Sequence, residues 1–150
     1  MIGRLIGIDP GRKRIGLAIS DALGISAREL AILNSRGDAE DFEAIGAIAK
    51  QEAAVGLVVG VPHNPNAPAG IITQAEIVRA WIDRLRRAVP LPVAETSEYL
   101  TSSEARALAK QVNREPREPV DDLAARIILQ AYLDELSYGS ATFPPSASGD

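Results

Sequence analysis

The sequence predicts an α/β domain built on a five-stranded mixed sheet with helices on both faces. Three observations carry this. Three short strand patterns come first, joined by tight turns. A continuous apolar run, Val55-Gly56-Leu57-Val58-Val59-Gly60, then follows an amphipathic helical stretch, as expected of a strand buried on both faces. Helical and strand patterns alternate afterwards, giving the order βββ-α-β-α-β-α-α. Short links favour antiparallel neighbours, and helical crossovers favour parallel ones. The sheet is therefore an antiparallel three-strand meander joined by two parallel strands.

Each element has a local reason. Residues 4–9, 14–20 and 27–33 are rich in Ile, Leu and Ala and are separated by Asp9-Pro10-Gly11-Arg12-Lys13 and Asp21-Ala22-Leu23-Gly24, both full of turn formers. Asp38 reads as the N-cap of a helix to about Glu52, with Phe42, Ile45, Ile48 and Ala49 on one stripe. A Pro- and Asn-rich loop, 61–70, precedes a helix over 71–88 whose stripe is Ala75, Val78, Trp81, Ile82 and Leu85. Leu91-Pro92-Val93-Ala94-Glu95 is a short strand, and Thr101-Ser102-Ser103-Glu104 has capping-box spacing for a helix to about Val112. The last helix spans 119–136. The domain is thus expected to occupy 1–136, with a disordered Ser-, Gly-, Ala- and Pro-rich tail over 137–150.

Composition narrows the chemistry. The chain has 150 residues, enough for one domain with a core, and 46% are hydrophobic. There is no cysteine, which excludes disulfides, thiolate metal sites and a cysteine nucleophile. The N-terminus, Met1-Ile2-Gly3-Arg4, lacks the apolar segment of a signal peptide, and no run approaches the ~18 apolar residues of a membrane span. A soluble cytoplasmic protein is expected. The net charge of −4 is not that of an obvious polyanion binder, yet the basic residues cluster: Arg12, Lys13 and Arg14, then Arg106, Lys110, Arg114 and Arg117.

The acids point to a site. Asp9 ends the first strand, beside a glycine turn with three basic residues. Glu98 lies just past the last strand, where crossover-linked sheets usually carry their sites. Asp121 precedes Ala124 and Ile128 by three and seven residues, in line with the apolar stripe Ala124, Ile127, Ile128 and Ala131. Its neighbour Asp122 reads as a solvated acid paired to Arg126 at i,i+4. Three converging carboxylates without a cation would repel. Mg²⁺ or Mn²⁺ suits such an oxygen set, and two ions about 3.5–4 Å apart can drive phosphodiester hydrolysis. The basic turn would hold backbone phosphates. His63, the one histidine, is an exposed loop residue that could reach substrate with Asn64 if its loop lies near the acids, and Trp81 reads as core.

Four stretches in order resemble the YqgF family, relatives of the RuvC resolvases with a ribonuclease H-like fold. Asp9-Pro10-Gly11-Arg12-Lys13-Arg14-Ile15-Gly16 is similar to that family's Asp-x-Gly-x-Lys-Arg-Ile-Gly. Val58-Val59-Gly60-Val61-Pro62-His63-Asn64 resembles its Val-Val-Gly-Leu-Pro-x-Asn. Glu98-Tyr99-Leu100-Thr101-Ser102-Ser103-Glu104-Ala105 resembles Glu-Arg-Leu-Thr-Thr-x-Glu-Ala, and the segment from Val120 to Leu133 resembles its closing Val-Asp-x-x-Ala-Ala…Ile-Leu-Gln-Ser-Tyr-Leu. The resemblance implies catalytic, metal-binding roles for Asp9, Glu98 and Asp121. It implies a nucleic-acid partner, and the residues read as meeting it are Gly11, Arg12, Lys13, Arg14, His63, Asn64, Tyr99 and Thr101. The activity implied is a nuclease, maturing the 5′ end of 16S ribosomal RNA or resolving branched DNA. The family's Asp-Glu-Arg reads Ser97-Glu98-Tyr99 here, and Tyr99 is suited to stack on a base. A non-catalytic nucleic-acid module and an ATP phosphotransferase are the competing classes. The first would be marked by loss of an acid, and the second needs two such domains. Monomer and homodimer are equally open.

Overall fold

The computed structural model describes residues 2–62, 70, 73–98 and 102–145, with the backbone alone for Glu98, Ser102 and Ser103. Its strands are β1 (Arg4–Asp9), β2 (Arg14–Ser20), β3 (Ala27–Asn34), β4 (Ala54–Pro62) and β5 (Val93–Glu98). Its helices are α1 (Asp38–Gln51), α2 (Gln74–Ala88), α3 (Ser102–Gln111) and α4 (Asp121–Tyr138). The strands form one sheet in the order β3-β2-β1-β4-β5. β1 pairs antiparallel with β2 and parallel with β4, β2 pairs antiparallel with β3, and β4 pairs parallel with β5. The mixed sheet is the one the sequence predicts.

Strand alternation divides the core in two. Ile6, Ile8, Ile15, Leu17, Ile19, Leu57 and Val59 face one side, where Phe42 and Ile45 of α1 and Val78, Ile82 and Leu85 of α2 cover them. The opposite face carries Leu5, Ala18, Val58 and Ala94 and is covered by Ala125, Leu129, Tyr132 and Leu133 of α4. Small residues on this second face let α4 lie close. A Cβ at Gly7 would come within 2.6 Å of Leu129 Cβ, and one at Gly16 within 1.8 Å of the Asp121 carbonyl oxygen. α3 packs on α4 rather than on the sheet.

Several boundaries differ from expectation for local reasons. α2 starts at Gln74 because Thr73 and Glu76 form a reciprocal capping box. The similar spacing at 101–104 includes Thr101, which lies outside the described residues. Asp38 is not the N-cap of α1. Gly37 holds that place, and Asp41 anchors the turn from inside the helix by accepting from Arg36 N–H at 2.8 Å and Ser35 Oγ at 2.6 Å. β5 runs on to Glu98, so that residue ends the strand instead of following it.

α4 also outlasts its predicted end and stops at Gly139, whose φ of 80° suits a left-handed cap. Residues 139–145, expected to belong to a disordered tail, fold back over the sheet. Phe143 packs against the second core cluster, and a Cβ at Gly56 would lie 2.0 Å from its ring. Tyr132 OH donates to the Thr142 carbonyl at 3.1 Å. Residues 146–150 lie outside the described residues.

Two predictions follow from this packing. Gly16→Ala should cost about 3 kcal/mol or more, lowering Tm by on the order of 10 °C, because the new methyl meets helix backbone that cannot yield. A melt within about 2 °C of wild type would contradict the seating of α4. Burial, with a smaller contribution from Glu135, raises the Tyr132 phenol pKa. Its folded value therefore exceeds the unfolded one near 10, so the associated stability is complete below that pH and drains away as pH climbs through the folded value. Alkaline urea titrations should show a steeper loss in wild type than in Tyr132→Phe.

Candidate active site

Two of the three candidate acids lie at the carboxyl ends of strands, Asp9 on β1 and Glu98 on β5, and the third opens α4. Asp9 is the last residue of β1 and pairs in register with Gly16 of β2. Asp121 is the first residue of α4, and its carbonyl lies directly over Gly16. Two acids from opposite ends of the chain thus flank one glycine. Glu98 ends β5 two residues beyond Thr96, whose register partner is Gly60 of β4. The described atoms do not include the Glu98 side chain. Among the described residues, no group of three or more Asp, Glu, His or Cys side chains is arranged to hold a metal ion. Asp9 and Asp121 offer carboxylate oxygens, the donor type that Mg²⁺ and Mn²⁺ favour.

The two neighbouring acids at the start of α4 exchange the surroundings expected of them. Asp122 is 7% exposed and accepts a fork of two hydrogen bonds from Arg114, at 2.6 and 2.7 Å. Its i,i+4 neighbour Arg126 pairs instead with Glu29 at 3.4 Å. The stripe that meets the sheet is Ala125, Leu129 and Tyr132, three, seven and ten residues after Asp122, so the helix is rotated by about one residue from the predicted stripe. Ala131, placed on that stripe by sequence, is exposed. The pair with Asp122 raises the Arg114 pKa further, against an opposing effect of desolvation. Arg114 is thus partly buried and committed to Asp122, and Arg106 donates to the Pro116 and Glu118 carbonyls, whereas Lys110 and Arg117 of the second basic cluster are exposed.

Asp121 is partly exposed, and its Oδ2 accepts from Arg14 Nε at 2.8 Å. Arg14 starts β2, immediately after the exposed turn residues Gly11, Arg12 and Lys13. The turn is tight, since a Cβ at Gly11 would lie 2.4 Å from the Arg14 carbonyl oxygen. His63, Asn64, Tyr99 and Thr101 lie outside the described residues. Trp81 packs at the rim of the first core cluster, with its ring 5.4 Å from that of Phe42. One residue escaped sequence analysis. Thr96 is 5% exposed, and its Oγ1 has no hydrogen-bond partner among the described residues. It shares strand parity with Ala94 on the α4 side, and the same i,i+2 spacing to Glu98 could have marked it.

This sheet order, with a helix crossing the face beside the first strand, defines the class: a ribonuclease H-like domain of the RuvC type. The chain is similar to T. thermophilus RuvC in complex with a Holliday junction substrate, with TM-score 0.57 and 17% identity over 92% of this chain and 97% of that one. It is also similar to the fowlpox virus Holliday junction resolvase, with TM-score 0.51 and 13% identity over 88% and 99% of the two chains. The chain belongs to the RuvX Holliday junction resolvase family, whose profile matches residues 3–135, which bears out the YqgF resemblance. Relatives in Synechococcus sp. (40% identical over 133 residues, 87% of this chain and 88% of that one) and Moorella thermoacetica (39% over 136 residues, 89% and 96%) carry the name "Putative pre-16S rRNA nuclease".

The two acids should part company on mutation. Arg114→Ala leaves a buried carboxylate unpaired and should cost about 3 kcal/mol. Asp121→Asn disturbs only a partly exposed pair and should cost less than about 1 kcal/mol. Urea midpoints of the two variants measure the contrast, and equal losses would show that Asp121 is as structural as Asp122.

Proposed function

We propose that this protein is a metal-dependent nuclease that hydrolyses phosphodiester bonds in the 5′-end maturation of pre-16S rRNA. The observation that carries the reading is the seating of Asp121 over Gly16, the register partner of Asp9. It brings two acidic residues to one end of the sheet, beside an exposed Gly-Arg-Lys turn. Asp9, Glu98 and Asp121 would hold Mg²⁺ or Mn²⁺, as a pair of ions. Bound there, such ions supply a nucleophilic water and stabilise the leaving oxygen.

The chain's own residues do the rest. The acids orient the metal-binding oxygens. Arg12 and Lys13 dock strand phosphates, and their contact is sequence-independent and weakens with salt. Asn64 and Thr101 are assigned to substrate contact on the strength of their motifs, His63 by its place beside Asn64, and Tyr99, which replaces the family's arginine, by stacking on an unpaired base. The names of the relatives support an RNA substrate. No described helix is long and apolar enough to cross a membrane, and a cytoplasmic setting fits a ribosomal RNA substrate.

The family description and the likeness to RuvC favour a second reading, resolution of branched DNA. A cleavage panel of precursor rRNA, single strands and a four-way junction, each with Mg²⁺ and Mn²⁺, separates the two. Asp9→Asn should lower cleavage of the preferred substrate by about 10²-fold or more while leaving its binding in gel shifts within about threefold. Unchanged turnover in that variant would refute the assignment. Tight binding by wild type without turnover under every metal would make the protein a binding module.

A further inference from the structure

We infer that Arg14 competes with the divalent cation for the Asp121 carboxylate, and so couples metal affinity to the arrival of substrate phosphate. This rests on the nuclease reading above.

Asp121 has two claimants. One is the Arg14 guanidinium, whose Nε already donates to Oδ2 at 2.8 Å. The other is any cation that the acids at this sheet end would hold. A guanidinium on that oxygen occupies one of its lone pairs and cancels part of the negative potential that draws a cation in. A second anion can draw the guanidinium away from that carboxylate. Arg14 is 42% exposed and Asp121 24%, a pair weak enough to be exchanged.

The anion that fits is a nucleic-acid phosphate. Arg14 follows Arg12 and Lys13 directly, so a strand docked on that turn passes within reach of its side chain. A guanidinium forks onto phosphate as well as onto carboxylate. Once Arg14 transfers to phosphate, Asp121 regains its full charge for metal. Binding couplings are reciprocal, so metal on Asp121 must in turn favour strand binding at Arg14. Arg14 is thus a positioning residue that keeps the site from filling with cation before substrate arrives. The neighbouring Arg114–Asp122 pair has no such freedom, since its carboxylate is buried and held by a fork of two hydrogen bonds.

The test reads metal affinity directly. Mn²⁺ is titrated into wild type, Arg14→Gln and Arg14→Lys, with free Mn²⁺ followed by electron paramagnetic resonance and folding checked by thermal melting. Arg14→Gln should bind Mn²⁺ about three- to tenfold more tightly, while its cleavage at saturating Mn²⁺ falls at least tenfold. Arg14→Lys, which keeps the charge but lacks the fork, should lie between. Loss of a merely structural residue would weaken metal binding, so unchanged or weaker Mn²⁺ affinity in both variants overturns the inference. If Asp9→Asn still abolishes binding in that case, the nuclease reading survives. No Mn²⁺ binding by wild type or by either variant defeats both.

Discussion

The close approach of α4 to the glycine face of β1 and β2 is the constraint on which the molecule turns. Gly7 and Gly16 have no side chain to hold the helix away, and Leu129 and the Asp121 carbonyl fill the space that a methyl would take. The same contact closes the second core, through Ala125, Leu129 and Tyr132, and sets the depth at which the first turn of the helix sits. The position of Asp121 relative to Asp9 is therefore a packing outcome. Interiors are dense enough that a displacement by one methyl would be felt at the acids.

Adjacent acids at the head of one helix have been given different work. Asp122 lies over the interior and is neutralised by the fork of Arg114, which ties the connection before α4 to the helix. Asp121 stays near water and meets Arg14 through one bond. A buried pair resists exchange because breaking it strands a charge, whereas a half-exposed pair can be traded for another ion. The helix start thus combines a fixed electrostatic anchor with an exchangeable one, a single residue apart. The exchangeable one faces the basic turn.

The C-terminal segment completes the sheet at its other end. Phe143 lies against Gly56, where no side chain competes, and Tyr132 reaches the Thr142 carbonyl. The basic turn and the candidate acids lie at the opposite end of the sheet. The division follows a general feature of crossover-linked sheets, whose sites gather at the carboxyl ends of parallel strands.

The five strands, their pairing sense and the order of helices were legible in the sequence, because period-2 runs, apolar stripes and tight glycine turns are local properties of the chain. So were the place of Asp9 at the end of β1 and the exposed basic turn after it. The rotation of α4 was not. Ala124, Ala125, Ile128, Leu129, Tyr132 and Leu133 are all buried, so the apolar face takes up about half the circumference of that helix and its pattern admits more than one orientation. Only the fit against Gly7 and Gly16 chooses among them, and that choice sent Asp122 inward and left Asp121 to Arg14. The burial of Thr96, whose hydroxyl has no partner among the described residues, was hidden for a related reason. It depends on a neighbouring strand, β4, that is distant in sequence, and no window along the chain contains both. What lies within a few residues is written in order along the polypeptide, whereas which side chains lose water and which keep it is settled when the layers close.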